Sequence, residues 1–332
     1  MQSRTVCNGS QVERDRLQGV LSPVRPGSGG IAVGVWDGVD TFTGHAGRLP
    51  HGASSLFEIG SITKVFTATL LADMARAGLV ALDDPVAEHL PAHVRMPVRG
   101  RPITLEDLAS HRSGLPRLPR GLLRQALTRD RGDPYARVDA AWLEAAVPRT
   151  PPRREPGRRV AYSNYGVGLL GHALTRRAGM SYDALVRERI AAPLGLRHTG
   201  TAVDGGRLAQ GHSRLGRPKP HWHFDALAGA GALRSTAADL IAFLRLHAGE
   251  PAGPLAEAAR ETHLARGPFG LGWMLLPASR KVPYDLLFHD GGTGGFRSAA
   301  AVSPERRIAV VVLSSQVRGL TRIGLRLLGA LG

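Results

Sequence analysis

The chain has 332 residues, 43% of them hydrophobic and 21% charged, which excludes whole-chain disorder, collagen and coiled coil. Basic residues outnumber acidic ones by 43 to 27. No helix-turn-helix, zinc-finger or aromatic-plus-basic motif accompanies that charge, so nucleic-acid binding is not predicted, and the single cysteine, Cys7, excludes an internal disulfide and a cysteine-based zinc site.

Apolar stretches are short throughout the sequence. The longest conspicuous run is Ile308–Leu313, whereas a membrane-spanning helix needs about 20 apolar residues. Residues 1–30 contain no apolar run of the length that a signal peptide requires. We therefore expect a cytoplasmic protein without a membrane partner, with a monomer as the default oligomeric state.

The first elements predict part of a sheet followed by a long helix. Apolar runs predict strands on either side of a turn at Asp37-Gly38, and helical spacing of apolar residues follows them. In chain order the predicted elements are a helix over Gln11–Val20, strands over Ile31–Trp36 and Phe42–Gly47, and a helix over Ser61–Gly78.

The middle of the chain predicts helices and loops, and the tail predicts strands. In the middle these are a short helix over Thr104–Ser110 capped by Thr104 and Asp107, an exposed loop over Pro148–Arg159, and helices over Val167–Ala178 and Tyr182–Ile190. The tail comprises a helix over Thr236–His247, strands over Gly270–Leu276, Leu286–Asp290, Phe296–Val302 and Ile308–Ser314, and a helix over Leu320–Leu331. We predict that residues 1–82 and 200–332 form an α/β lobe, that residues 83–199 form an inserted, mostly helical lobe, and that the site lies in the cleft between them.

Ser61 and Lys64 form a Ser-x-x-Lys motif at a predicted helix start. Residues three apart share a helix face, so the lysine amine would face the serine hydroxyl. Serine becomes a nucleophile when a base takes its proton, and a buried lysine with a lowered pKa can be that base. The alternative is an ordinary helix start with one solvated lysine.

Two further motifs are weak when each is taken alone. In Tyr162-Ser163-Asn164, a tyrosine whose pKa is lowered by cations can move a proton, and the asparagine amide can bind a substrate amide. In His289-Asp290-Gly291-Gly292, glycines at the end of a strand let a substrate approach the backbone, whose N–H groups can bind an oxyanion. A structural triplet and a simple turn are the respective alternatives.

Taken together, the three motifs resemble those of the serine β-lactamase and penicillin-binding protein superfamily, and the tyrosine indicates its class C branch. That branch is shared with D-Ala-D-Ala carboxypeptidases and Ser-x-x-Lys esterases. The similarity covers about residues 15–330 and includes Phe57–Lys64, Ile103–Leu115, Pro193–Leu196, Gly229–Thr236 and His289–Phe296. It implies a β-lactamase/transpeptidase-like fold, α/β plus all-α, with an antiparallel sheet built from both termini and flanked by helices.

The resemblance implies a role for each motif residue. Ser61 is the nucleophile that becomes acylated, and Lys64 hydrogen-bonds it and shares in proton transfer. Tyr162 is the general base for acylation and deacylation. Asn164 orients the acyl side of the substrate, and the backbone N–H groups of Ser61 and Gly292 form the oxyanion hole. No metal or cofactor is implied.

His289 is the departure from the β-lactamase pattern, which usually has lysine there, whereas histidine is common among esterase-like relatives. An ordinary histidine pKa near 6.5 predicts a neutral ring at pH 8, and a charged ring that favours carboxylate substrates at lower pH. Gly291 belongs to the same substrate-binding group. Arg297 could supply the missing cation, with an exposed strand charge as the alternative.

The expected function is that of a serine hydrolase that cleaves an ester or amide bond of a small molecule through a covalent acyl-enzyme. Acyl transfer, a D-Ala-D-Ala carboxypeptidase-like activity and true β-lactamase activity remain alternatives. A non-catalytic β-lactam-binding or scaffold protein is the alternative of a different class, and the three intact motifs argue against it.

Other patterns are interpreted as structural. Gly166–Gly171 matches a dinucleotide-binding glycine pattern, but the Tyr-Ser-Asn motif precedes it, so close helix packing is the preferred interpretation. His221–Asp225 alternates like a strand, and a cleft wall is preferred to a metal site there. His111 is interpreted as a structural hydrogen-bonding residue. The chain has no Gly-x-Ser-x-Gly motif, so an α/β-hydrolase fold is not supported.

Overall fold

The structure is a computed structural model that describes residues 4–7, 28–128, 132–280, 282–317, 320 and 324. The predicted helix over Gln11–Val20 lies outside the described residues, as does all but two residues of the one predicted over Leu320–Leu331. Among the described helices, none has the length and apolar character needed to cross a membrane.

Among the described residues, segments from both ends of the chain form one antiparallel sheet of seven strands. Its strands are β1 (Arg4–Cys7), β2 (Gly30–Trp36), β3 (Thr41–Gly47), β6 (Met274–Leu276), β7 (Leu286–Gly292), β8 (Arg297–Ser303) and β9 (Ile308–Ser314). Their order across the sheet is β1-β3-β2-β9-β8-β7-β6. A separate pair joins β4 (Phe57–Glu58) to β5 (Arg234–Ser235). This arrangement confirms the expected sheet, while the lobe boundaries stay a prediction.

One predicted strand is shorter than expected. Gly270–Leu276 was expected to be extended throughout, but only its last three residues pair with β7. The backbone N–H of Gly270 donates to Trp273 O, and that of Leu271 donates to Thr262 O. Gly272 has a φ of +74°, so the chain turns before it reaches the sheet.

Helices lie between β3 and β6 in the chain, and the one over Ala237–His247 packs against β2, β8 and β9. They are α1 (Thr63–Arg76), α2 (Leu105–Ala109), α3 (Leu122–Thr128), α4 (Ala140–Ala146), α5 (Asn164–Ala178), α6 (Tyr182–Val186), α7 (Ala192–Leu194), α8 (Ala237–His247) and α9 (Pro254–Glu261). The alternating residues of β2 and β9 divide between two separate apolar clusters, as expected for a strand with two buried faces. Gly34 of β2 faces α8 so closely that an added Cβ would lie 2.6 Å from Ile241 Cγ1.

Local signals near the site are confirmed. Thr104 and Asp107 form a reciprocal capping box at the start of α2, with hydrogen bonds of 3.1 and 3.0 Å. The predicted packing glycines lie inside α5, where a Cβ at Gly168 would be 2.4 Å from Leu227 Cδ2 and one at Gly171 would be 2.9 Å from Gly229 Cα. These glycines let α5 support the segment around Gly229 that borders the site.

Candidate active site

Ser61 and Lys64 lie together at the start of α1, as their spacing predicts. A single 3-10 turn over Gly60–Ile62 leads into the helix, and Gly60 enters it with a φ of +52° that suits glycine. Lys64 Nζ is 3.0 Å from Ser61 Oγ. The serine is half-buried and the lysine side chain is fully buried, so the hydroxyl can be reached from solvent and the amine cannot.

Burial changes the acid–base behaviour of Lys64. Its pKa is lowered to about 7, chiefly by burial and further by the positive charge of Arg117, against the opposing charge of Asp290. Nζ also donates a hydrogen bond of 2.7 Å to Ala230 O, which holds the amine in place. A large part of the amine is therefore uncharged at neutral pH and can accept a proton.

Tyr162 completes the group that the motifs predict. Lys64 Nζ lies 5.1 Å from the centroid of its ring. Burial raises the pKa of Tyr162 to about 12, and a hydrogen bond with Ser61 and the charge of Arg117 only partly oppose this. Burial thus outweighs the cation that lowers this pKa, and the general-base role of Tyr162 stays a prediction. The phenol keeps its proton at neutral pH.

Two residues outside the predicted set hold the Tyr162 ring. The His111 ring packs against it at a centroid distance of 4.3 Å, and the Arg117 guanidinium carbon lies 5.3 Å from its centroid. His111 is fully buried, its pKa is held well below the usual value chiefly by burial, and its Nδ1 accepts a 3.3 Å hydrogen bond from Ser163 N. The hydrogen-bonding role expected for His111 is thus confirmed. Arg117 belongs to no motif, and only the fold brings it to the tyrosine.

Asn164 lies at the start of α5, beside an aromatic cluster. Its Nδ2 donates a 3.3 Å hydrogen bond to Tyr135 Oη, whereas its buried Oδ1 has no partner among the described residues. The Tyr135 ring stacks on Phe224 at 4.3 Å and lies 5.5 Å from Trp222. The sequence reasoning found Asn164 and missed Tyr135, which lies 29 residues away along the chain.

His289 is completely buried in β7, with its ring 6.2 Å from that of Tyr162. Burial, together with the charge of Lys64, lowers its pKa to about 3, although a hydrogen bond to the backbone of Asp290 opposes this. In the neutral ring Nδ1 donates to Asp290 O over 2.6 Å, which leaves Nε2 as an acceptor without a partner among the described residues. The expected appearance of imidazolium below pH 6.5 is therefore wrong, because burial removes the solvation that the charged ring requires.

The glycines of the third motif allow direct backbone contact between β7 and the Ser61 turn. A Cβ at Gly291 would lie 2.1 Å from Ile59 O and 3.0 Å from Ser61 N. The backbone N of Gly292 in turn would lie 2.6 Å from a Cβ on Gly60. Glycine is thus required for the close contact between β7 and the turn that carries Ser61. This requirement is separate from the substrate approach that the sequence predicted.

Arg297 is not brought to Ser61. It pairs with Gly292 in the sheet, and its Nη1 donates to Phe296 O at 2.8 Å and to Thr293 O at 3.1 Å. The next residue, Ser298, donates to Ile59 O beside the Ser61 turn, so Arg297 faces the opposite side of the sheet. Its predicted role in substrate binding stays a prediction.

The segment His221–Asp225 is not a strand. His221 Nδ1 and Trp222 N both contact Glu58 Oε1, at 3.0 and 2.9 Å, whereas His223 Nδ1 contacts Asp133 at 2.9 Å. The two imidazoles therefore turn to different carboxylates, and hydrogen bonds to partners distant in the chain replace a strand ladder.

Comparison with known proteins matches a family model described as Beta-lactamase to residues 11–328. A β-lactamase of Pseudomonas fluorescens is 27% identical over 310 residues, covering 81% of this chain and 82% of that protein. The D-alanyl-D-alanine-carboxypeptidase/endopeptidase AmpH of Escherichia coli K12 is 28% identical, with 78% and 70% covered. A solved class C β-lactamase from Rhodobacter sphaeroides superposes with a TM-score of 0.77 at 26% identity, covering 97% of this chain and 98% of that one.

Proposed function

The chain belongs to the β-lactamase family, and we propose that it hydrolyses esters or small amides of low-molecular-weight substrates through a covalent intermediate on Ser61. The observation that carries this proposal is the contact between the half-exposed serine and a buried lysine whose pKa is lowered to about 7. A neutral amine 3.0 Å from a hydroxyl is a base in position to activate it.

In the proposed acylation step, Lys64 takes the proton of Ser61 while Oγ forms a bond to the substrate carbonyl carbon. The backbone N–H groups of Ser61 and Gly292 are the proposed donors to the oxyanion. When the tetrahedral intermediate collapses, the bond to the leaving group breaks. Tyr162 donates its proton to that group and regains one from the Lys64 ammonium, so the proton lost by serine ends on the product.

In the proposed deacylation step, water replaces the leaving group. Its proton passes through Tyr162 to the neutral Lys64 amine as the hydroxyl attacks the acyl carbon, and Ser61 recovers its proton when the ester bond breaks. The buried phenol, with a pKa raised to about 12, therefore serves as a proton relay. Lys64 is the group that exists in both protonation states near pH 7.

Substrate preference is proposed from His289. A buried neutral imidazole offers a hydrogen bond but no fixed charge to a carboxylate beside the scissile bond. This supports neutral esters or amides over substrates that carry a carboxylate at that position. A D-Ala-D-Ala carboxypeptidase-like or β-lactamase activity is the second candidate, which the names of the two relatives favour.

The test is a hydrolysis panel of 4-nitrophenyl esters, nitrocefin and a D-Ala-D-Ala peptide, run beside fluorophosphonate labelling. We expect ester turnover, and one label per chain on the peptide that contains Ser61. Ser61→Ala should abolish both signals, while a Ser55→Ala variant, which changes a buried serine at the end of the preceding 3-10 turn, serves as the control. Labelling that persists in Ser61→Ala would refute the assignment. A labelled but non-hydrolysing protein would instead support the binding or scaffold alternative.

A further inference from the structure

A cleft of about 640 Å³ lies next to the active site and is lined by four arginines, Arg99, Arg117, Arg120 and Arg153. All four side chains are exposed, and none has a carboxylate partner among the residues that the structure describes. No Asp or Glu is among the lining residues. Four unpaired guanidinium groups around one concave surface create a positive potential that an anionic group can neutralise.

Arg117 connects this cleft to the catalytic residues. Its guanidinium lies over the Tyr162 ring, and its backbone oxygen accepts a 3.1 Å hydrogen bond from Tyr165 N. Ser163 Oγ donates to the preceding carbonyl, Pro116 O, over 2.7 Å. The segment that carries Arg117 is therefore hydrogen-bonded to the Tyr-Ser-Asn motif. Arg117 both lines the cleft and contacts the Tyr162 ring.

We propose that this cleft is a leaving-group subsite that binds a carboxylate or phosphate group of the substrate. The proposal rests on the proposed function, in which Tyr162 donates a proton to the leaving group. The leaving group then lies against Tyr162, and its far end extends past Arg117 into the cleft. The acyl group lies on the other side, toward Asn164 and Tyr135.

The two proposed preferences concern different parts of the substrate. A neutral group is preferred next to His289, and an anionic group is preferred in the cleft. His289 lies in β7, close to the scissile bond, and is buried without charge. The arginines lie on the loops around residues 99, 116–121 and 150–153, where they remain hydrated and charged. A substrate with a neutral centre and an anionic distal end satisfies both.

The experiment compares kcat/KM for 4-acetoxybenzoate with that for its methyl ester, which places or removes an anion on the leaving group. The variant is Arg120→Gln/Arg153→Gln, because neither arginine contacts Tyr162 and neither side chain has a hydrogen-bond partner among the described residues. The control is Arg306→Gln, which removes one positive charge at the turn between β8 and β9, on a residue that does not line the cleft.

We expect the anionic-to-neutral ratio to fall about tenfold in the double variant and less than twofold in Arg306→Gln. Raising the ionic strength should lower the ratio of the parent protein and have little effect on that of the double variant. An unchanged ratio, or an equal loss in both variants, would overturn the proposal. A second pair, mono-4-nitrophenyl glutarate and 4-nitrophenyl butyrate, puts the anion on the acyl side, and a greater loss there would also overturn it.

A binding measurement keeps this test separate from the proposed function. Calorimetric titration of 4-hydroxybenzoate into Ser61→Ala requires no turnover. We expect affinity about tenfold weaker when the two cleft substitutions are added. If no ester is hydrolysed but this loss is found, the hydrolase proposal fails and the anion subsite stands. If affinity is unchanged, the subsite fails whatever the activity.

Discussion

The proposed role of Lys64 predicts a pH profile whose midpoint depends on Arg117. With a pKa of about 7, the amine is protonated at low pH and cannot accept the Ser61 proton. We therefore expect kcat/KM for a neutral ester to rise with pH through about 7 and to level off above it. The neutral fraction falls about tenfold for each pH unit below the midpoint, which leaves roughly 3% of the plateau rate at pH 5.5.

The contribution of Arg117 can be worked out from the geometry. The guanidinium carbon and Lys64 Nζ lie 5.3 and 5.1 Å from the same ring centroid, so they are no more than about 10 Å apart. At that distance two like charges repel by about 0.4 kcal/mol at an effective dielectric constant of 80 and by about 1.7 kcal/mol at 20. Because Arg117 is exposed, the lower half of this range applies.

Removing that charge makes protonation of Lys64 easier. Arg117→Gln should therefore raise the midpoint by about 0.3 to 0.8 pH units, toward the ordinary lysine pKa. The assay is kcat/KM for 4-nitrophenyl butyrate between pH 5.5 and 9, with spontaneous hydrolysis subtracted, and Arg306→Gln is the remote charge control. A profile without a break near pH 7 would contradict the assignment of Lys64 as the base, and a midpoint that moves down in Arg117→Gln would contradict the repulsion between Arg117 and the Lys64 ammonium.

Three further results are expected. Lys64→Ala and Tyr162→Phe should each lower kcat by about 10²- to 10⁴-fold, and the double variant should be little worse than the poorer single one because the pair moves one proton. The ratio of kcat/KM for a carboxylate-bearing ester to that for a matched neutral ester should stay flat from pH 5.5 to 9, because burial keeps the His289 ring uncharged over that range. Gly291→Ala should reduce activity and lower the free energy of unfolding by about 2 kcal/mol or more, because its Cβ would lie 2.1 Å from Ile59 O.

Each of these three predictions has a contradicting outcome or a control variant. Multiplicative losses in the double variant would indicate separate roles for the lysine and the tyrosine. A carboxylate preference that increases below pH 6.5 would mean that the histidine ring is charged in the active protein. Gly205→Ala adds the same methyl group where no heavy atom lies within 4 Å, so a comparable loss in that variant would show that contact with Ile59 is not the cause.

Several features of the fold and the site could be predicted because they depend on local spacing. The Ser61–Lys64 contact follows from the helical repeat, and the strands β2, β8 and β9 follow from apolar runs between turn residues. The Thr104–Asp107 capping box likewise needs only residues three apart. The role of the third motif, His289–Gly292, was predicted from the family resemblance, because residue spacing alone does not show that this segment lies near Ser61.

The motifs alone identify which reactive groups are present, because the hydroxyl, the amine and the phenol occur in short segments whose local geometry the backbone imposes. Their protonation states depend on the tertiary structure. Burial lowers the pKa of Lys64 to about 7, raises that of Tyr162 to about 12 and keeps His289 neutral, and burial is a property of contacts between distant segments. The same is true of Arg117 and Tyr135, which reach the site from loops with no motif of their own. The type of side chain sets which proton a residue can gain or lose, whereas its charge state depends on how far the rest of the chain excludes water from it.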